Sequence, residues 1–149
     1  MEIQEYPLEK TPIFQGAGAG QVQKMLGVLL PSIRNYARGE TICRAGETVP
    51  SLGIVLNGGA TIELCDAWGN RSIIERLEPG DVFAEAYACL PGEPLMVSVT
   101  ADAPTRVMFL DVSRMLSMGL EPEQTMLTTN LMRIMARKNV TLSQRMMNI

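Results

Sequence analysis

The chain has 149 residues, 46% hydrophobic and 19% charged, so it is long enough and apolar enough for one domain with a buried core. It contains no histidine, which excludes Ser-His-Asp and Cys-His catalysis, zinc sites with histidine ligands and histidine-ligated haem. Its net charge of −3 argues against binding nucleic acid through the bulk of the surface. We therefore expect a protein that is not an enzyme and that has no metal site and no cofactor.

The charge changes sign along the chain at Glu123. Residues 1–123 contain all 16 acids and nine of the 13 cations, whereas residues 124–149 contain four cations and no acid. A change of charge regime at one point indicates two segments with different surroundings.

The three cysteines are Cys43, Cys65 and Cys89. Their odd number and wide spacing disfavour both a disulfide framework and a cysteine-only zinc site. We expect the three cysteines to be small, buried, apolar side chains of a protein in a reducing compartment. The start of the chain has no signal-peptide pattern, and no apolar run approaches the ~18 residues of a membrane span. These features predict a cytoplasmic protein without a membrane partner.

In chain order, the first predicted element is a short helix that Pro31 closes. Its apolar residues repeat with helical spacing, at Val22, Met25, Leu26, Leu29 and Leu30.

Residues 38–111 show turn chemistry at nearly even intervals. Glycines fall at Gly46, Gly58, Gly69 and Gly80, and Asn57-Gly58 is a strong hairpin signal. Short apolar runs lie between the turns, at residues 54–56, 61–66, 72–77, 95–99 and 107–110. Residues 61–66 alternate as a half-buried strand does. Short strands at this spacing predict an antiparallel sandwich or barrel.

The last part of the chain is predicted to be helical. Ser113 is a candidate N-cap for a short helix that ends near Gly119. A long helix should follow from Gln124 to about Met147, because this stretch has no glycine or proline.

Two stripes with alternating steps of three and four residues run along the long helix. One is Leu127, Leu131, Ile134, Lys138 and Thr141; the other is Met132, Met135, Asn139, Leu142 and Met146. The two interpretations are a dimer seam, with Asn139 fixing the register, and a terminal helix that lies on its own domain. The width of the apolar face favours the seam.

The order and motifs of these elements resemble the effector domain of the Crp/Fnr (catabolite activator) family of bacterial transcription regulators. The resemblance rests on Arg38–Glu47, Ile54–Gly58, Leu77–Glu85 and Met135–Lys138. It implies a mainly β fold: an antiparallel double-stranded β-helix, or jelly roll, with flanking helices and a long C-terminal dimerisation helix. Residues 1–120 would form the N-terminal segment, short helix and β-roll, and residues 121–149 the dimerisation helix.

In this family a glutamate takes the ribose 2′-hydroxyl of a cyclic nucleotide, and an arginine pairs with its phosphate. Glu85 matches the glutamate, but the positions of the family's Arg-Ser hold Leu95 and Met96. The sequence therefore predicts weak or absent binding of cAMP and cGMP. Glu85 then either contacts a less anionic effector or caps the local turn. The residues expected to bind the ligand are Phe83, Ala84, Glu85, Ala86, Leu95, Met96, Val97, Leu142 and Ser143.

The resemblance also implies a homodimer through residues 124–147, and DNA contact only through a helix-turn-helix domain that is not in this chain. The residues expected at the dimer interface are Leu127, Leu131, Ile134, Met135, Lys138, Asn139 and Leu142. Two other function classes are alternatives to a ligand-sensing regulator domain. A ligand-free protein-interaction module stays open because the arginine is missing. A cupin-like enzyme is disfavoured because cupins need histidine ligands.

Overall fold

The computed structural model describes residues 5–148. Two 3-10 turns, Leu8–Lys10 and Pro12–Phe14, precede the regular elements. The helices are α1 (Ala19–Leu29), α2 (Glu85–Ala88), α3 (Val112–Leu116) and α4 (Glu123–Met147). The strands are β1 (Ser32–Tyr36), β2 (Thr41–Cys43), β3 (Ser51–Asn57), β4 (Ala60–Cys65), β5 (Arg71–Leu77), β6 (Val82–Phe83), β7 (Ser98–Ala101) and β8 (Thr105–Asp111).

The strands form two four-stranded antiparallel sheets, in the orders β1-β8-β3-β6 and β2-β7-β4-β5. Strands that follow each other along the chain often lie in different sheets, as in a jelly roll. The predicted fold class, a β-roll with flanking helices and a long C-terminal helix, is confirmed.

Two glycines are required by close contacts in the first sheet and its turn. Gly58 has a φ of +84°, and a Cβ there would lie 2.4 Å from the carbonyl oxygen of Pro104. A Cβ on Gly53 would lie 2.2 Å from the ring of Phe83. Gly53 thus lets that ring pack directly over β3, and this fixes β6 beside β3.

Several element boundaries differ from the sequence predictions. The expected strand 95–99 begins only at Ser98, because Leu95 instead exchanges backbone hydrogen bonds with the turn at Gly46 and Glu47. The N-cap of α3 is Asp111, whose carboxylate accepts from the Arg114 amide, and not Ser113. The short strands β1 and β2 are not predicted, since five and three residues carry too little periodicity, whereas β6 lies within the motif Leu77–Glu85.

The β4–β5 hairpin extends beyond the roll. Residues 61–66 do not alternate as predicted: burial fades along β4 instead, so that Leu64 and Cys65 are exposed. On β5, Ile73 and Ile74 are exposed as well. Among residues 5–148 no element covers the outer part of the hairpin, and most of its residues are exposed.

The core has two parts. One part joins the 3-10 turns, α1, α3, the first sheet and the first half of α4. The other fills the inside of the roll, around Val55, Phe83, Leu95 and Val107. Cys43 belongs to the second part as predicted, whereas Cys89 is half-buried and Cys65 is exposed, so the expectation of buried cysteines holds for Cys43 alone.

Helix α4 is divided into an anchored segment, residues 123–138, and a projecting segment, residues 139–148. Side chains on one side of the anchored segment are buried in the domain, whereas every residue from 139 to 148 is exposed. The Asn130 side-chain amide donates to the carbonyls of Ile13 and Gln15, at 3.0 and 2.9 Å, and so ties the anchored segment to the N-terminal turns. Over residues 5–148, no helix combines the length and the apolar character needed to cross a membrane.

The dimer-interface prediction needs a correction on α4. Leu127, Leu131 and Ile134 are at most 5% exposed, because they pack into the core of their own chain. They are therefore not available to a second copy. On the other stripe Met132, Leu142 and Met146 are 63%, 55% and 68% exposed, whereas Met135 packs partly against the core. The first stripe therefore lies on its own domain, whereas a dimer seam along the second stripe stays a prediction.

Candidate functional site

A cavity of about 140 Å³ lies between the start of α2, strands β4 and β7, and α4. Its lining combines apolar side chains with one carboxylate and one ammonium group. The lining residues are Ile62, Ala84, Glu85, Ala86, Tyr87, Leu95, Val97, Val99 and Lys138.

Glu85 is placed in the cavity by the tight turn before α2. Ala84 adopts a left-handed backbone with a φ of +62°, and α2 begins directly after it. A non-glycine residue in this region is uncommon and marks a constrained position. The turn directs the Glu85 side chain inward, where it is 3% exposed.

The Glu85 carboxylate is paired with an ammonium group from α4. Lys138 Nζ lies 2.6 Å from Glu85 Oε1, and it also donates to the Val82 carbonyl oxygen at 2.7 Å. A buried carboxylate requires such a partner, because removal from water without one is costly. The side chain of Lys138 itself is 39% exposed, so the ion pair sits at the mouth of the cavity.

The opposite wall of the cavity is apolar where the family resemblance implies a phosphate site. Leu95 is 4% exposed and belongs to the core inside the roll. Among the described residues that line this cavity, Lys138 is the one cation, and Glu85 already pairs with it. This wall therefore offers apolar side chains and no cationic side chain.

The predicted ligand residues fall into three groups. Five of them line the cavity, namely Ala84, Glu85, Ala86, Leu95 and Val97. Phe83 lies in the core below the cavity and packs edge-on against Phe109, while Met96 is 68% exposed and points away.

Leu142 and Ser143 make up the third group and do not line the cavity of their own chain. They lie in the projecting segment, four and five residues beyond Lys138 and hence about 6–7.5 Å further along the helix axis. The Ser143 hydroxyl donates to the Asn139 carbonyl oxygen of the same helix.

Four lining residues were not among the predicted ligand contacts: Ile62, Tyr87, Val99 and Lys138. Lys138 was assigned to the dimer interface instead, because it continues the stripe of Leu131 and Ile134. A cation at the end of an otherwise apolar stripe is a signal that could have found it, since such a residue needs a buried acid or solvent beside it. Its partner Glu85, however, lies in a distant part of the sequence.

A second cavity, of about 230 Å³, lies on the other side of the roll between the edge strands β1 and β2. Cys43, Arg34, Tyr36 and Glu47 contribute to its lining. Burial, and to a smaller extent the charge of Glu47, raises the pKa of Cys43 to about 11. This thiol therefore stays protonated, which suits a core residue and not a nucleophile.

Residues 33–120, the segment that holds the roll and the α2 turn, match the family described as "Cyclic nucleotide-binding domain". The chain belongs to this cyclic nucleotide-binding domain family. The cyclic nucleotide-binding-like domain that the motifs predict is thus confirmed. No curated protein matches the sequence.

Solved structures of transcription regulators share the fold. The catabolite activator protein of Thermus thermophilus is 21% identical with a TM-score of 0.79, over 91% of this chain and 62% of that one. The sensor domain of the regulator DNR from Pseudomonas aeruginosa is 20% identical with a TM-score of 0.72, over 95% and 90% of the two chains. The N-terminal domain of a regulator from Streptomyces coelicolor is 20% identical with a TM-score of 0.72, over 95% of both. The chain therefore has the fold of regulator effector domains and spans less than two thirds of the Thermus protein.

Proposed function

We propose that this chain is the effector-sensing and dimerisation part of a bacterial Crp/Fnr-type transcription regulator, and that its pocket takes a small ligand other than cAMP or cGMP. The family membership and the shared fold support the general role. The observation that carries the proposal is that one cavity contains both the buried Glu85, which matches the family's glutamate, and the apolar Leu95, which stands where the family has an arginine.

The missing arginine determines which ligands are disfavoured. A bidentate, partly buried arginine–phosphate contact contributes ~2–5 kcal/mol, so its loss lowers affinity by roughly 30-fold to several thousand-fold. Leu95 would also desolvate a phosphate without replacing its hydrogen bonds. The cavity of about 140 Å³ is smaller than the roughly 300–1,000 Å³ of sites for drug-sized ligands. Size and charge together favour a small, less anionic effector.

Dimerisation is proposed through the outward stripe of α4. Met132, Leu142 and Met146 are exposed apolar side chains at helical spacing, with Asn139 between them. Two such helices side by side would bury these stripes against each other, and the polar Asn139 would favour one register. Leu142 and Ser143 would then approach a pocket only through the second copy. Ligand binding would act by changing the packing of the two helices.

We propose a binding function and no catalytic one, in a cytoplasmic protein that contacts DNA through a further domain of the regulator. Cupin-like catalysis would need histidine ligands, and the sequence has no histidine.

The test combines a thermal-shift screen of nucleotides and small metabolites with sedimentation equilibrium of the same sample. The proposal predicts a dimer and a stabilising ligand that is not a cyclic nucleotide, with the shift abolished in Glu85→Gln. A monomer would contradict the dimerisation part. A dimer that no small molecule stabilises, while a protein partner binds, would favour the ligand-free interaction module.

A further inference from the structure

Lys138 marks the point at which α4 leaves the domain. It is the last partly buried residue of the helix, since all residues from 139 to 148 are exposed. Its ammonium group is also the partner of the carboxylate inside the cavity. One side chain therefore links the state of the cavity to the position of the projecting segment.

The ammonium of Lys138 occupies a position that only a hydrogen-bond donor can fill. The two groups it contacts, Glu85 Oε1 and the Val82 carbonyl oxygen, are both acceptors. If the ammonium moved away, Glu85 would be the one charged group left in the lining of the cavity. The vacated position would attract a cation and repel an anion.

The remaining wall suits the body of a small organic amine. Ile62, Leu95, Val97 and Val99 supply aliphatic surface, and Tyr87 an aromatic ring. The cavity of about 140 Å³ has room for on the order of five water-sized groups at about 30 Å³ each. This matches a short chain or a small ring, and the four-carbon stem of lysine is itself such a body.

A neighbouring cavity could receive the side chain of Lys138 if it were displaced. A cavity of about 150 Å³ lies on its other side, lined by Glu75, Asp81 and Arg137 among others. Within residues 5–148, Glu75 is in no ion pair, and the Asp81 carboxylate accepts only a backbone bond, from Glu78. A displaced ammonium would therefore meet these two carboxylates, with the Arg137 guanidinium as a competitor.

We propose that the pocket is a site for a small primary amine, and that the ammonium group of Lys138 occupies this site when no amine is bound. The amine would donate to Glu85 and Val82, its body would contact the aliphatic wall, and Lys138 would shift toward Glu75 and Asp81. This inference rests on the proposed function, in which Glu85 contacts the effector. Because binding and the Lys138 contact are mutually exclusive, amine binding releases α4 at the root of its projecting segment.

The test uses n-butylammonium as the probe, and n-butanol and n-butyrate as uncharged and anionic controls, in thermal-shift titrations of the full chain. In Lys138→Met the internal competitor is removed, so the probe should stabilise this variant at a concentration at least 10-fold lower than it does the wild type. Arg133→Met removes an exposed cation of the same helix that lines neither cavity, and it should respond as the wild type does. The double variant Lys138→Met/Glu85→Gln should lose the response, and the two controls should give none in any variant.

An equal response of Lys138→Met and Arg133→Met, or a response that survives in the double variant, would overturn the inference. If Lys138→Met does not fold, Lys138→Gln, which replaces the charge by a neutral donor, takes its place, and its response to the amine is compared with that of the same control variant. A screen in which another ligand stabilises the wild type through Glu85, while the amine has no effect on any variant, refutes the amine site and leaves the proposed function standing.

Discussion

Replacing Asn130 tests how α4 is attached to the domain. The Asn130 side chain is 4% exposed, and its amide donates to the carbonyls of Ile13 and Gln15. Asn130→Ala leaves the Ile13 carbonyl buried without a partner, which costs about 1–3 kcal/mol. The Gln15 residue is exposed, so water replaces most of the second bond, and the net loss there is about 0.5–1 kcal/mol.

The expected decrease in the free energy of unfolding is therefore about 1.5–4 kcal/mol for Asn130→Ala. Urea denaturation followed by circular dichroism, at one fixed protein concentration, measures it. Gln144→Ala is the matched control, because it truncates an exposed amide in the projecting segment of the same helix. It should change stability by less than about 0.5 kcal/mol.

Asn130→Asp sharpens the result. The side chain has nearly the same shape, but an ionised carboxylate only accepts hydrogen bonds and would face two carbonyl oxygens. It should destabilise the protein at least as much as the alanine variant at neutral pH. Variants of Asn130 that match Gln144→Ala within error would refute the reasoning that these two bonds hold α4 on the N-terminal turns.

Three further outcomes are expected. Hydrogen bonding to its own backbone amide, and then the contact with Lys24 at 3.2 Å, lower the pKa of Glu123 below its usual 4.5. The ionised carboxylate therefore stabilises the folded protein fully above pH 4.5, and this stabilisation is lost as the pH falls through the lowered pKa. Glu123→Gln should make the stability less dependent on pH in this acid range. N-ethylmaleimide should modify the exposed Cys65 in the folded protein, while Cys43, buried and with a pKa of about 11, should react only after denaturation, as mass spectrometry of timed samples would show. Leu142→Glu should shift sedimentation equilibrium toward the monomer by at least about tenfold, since it places like charges opposite each other in the proposed seam; an unchanged dimer would rule out this stripe.

The β-roll could be predicted from local signals. Short stretches of consecutive residues are enough to recognise the turn at Gly58 and the apolar runs of β3, β4, β5 and β8. The strand β6 could not be found this way, because its two residues are fixed by the packing of Phe83 on Gly53, and that contact joins distant parts of the chain.

The helix pattern of α4 was predictable, but the neighbours of its faces were not. Spacing placed Leu131 and Met132 on different stripes without showing that the domain covers Leu131 and leaves Met132 exposed. The same limit applies to the site. The sequence indicated Glu85 and the missing cation at Leu95, whereas the pairing of Glu85 with Lys138 depends on where α4 crosses the roll. Which residues meet across two elements is a property of the packing and not of either segment alone.

We propose that this cyclic nucleotide-binding domain does not bind cyclic nucleotides tightly and that Glu85 contacts a different ligand. Isothermal titration of the full chain with cAMP and with cGMP tests it most directly. We expect no saturable heat at ligand concentrations up to about 100 µM, because Leu95 supplies no partner for the phosphate. Binding of either nucleotide with a Kd tighter than about 10 µM would contradict it.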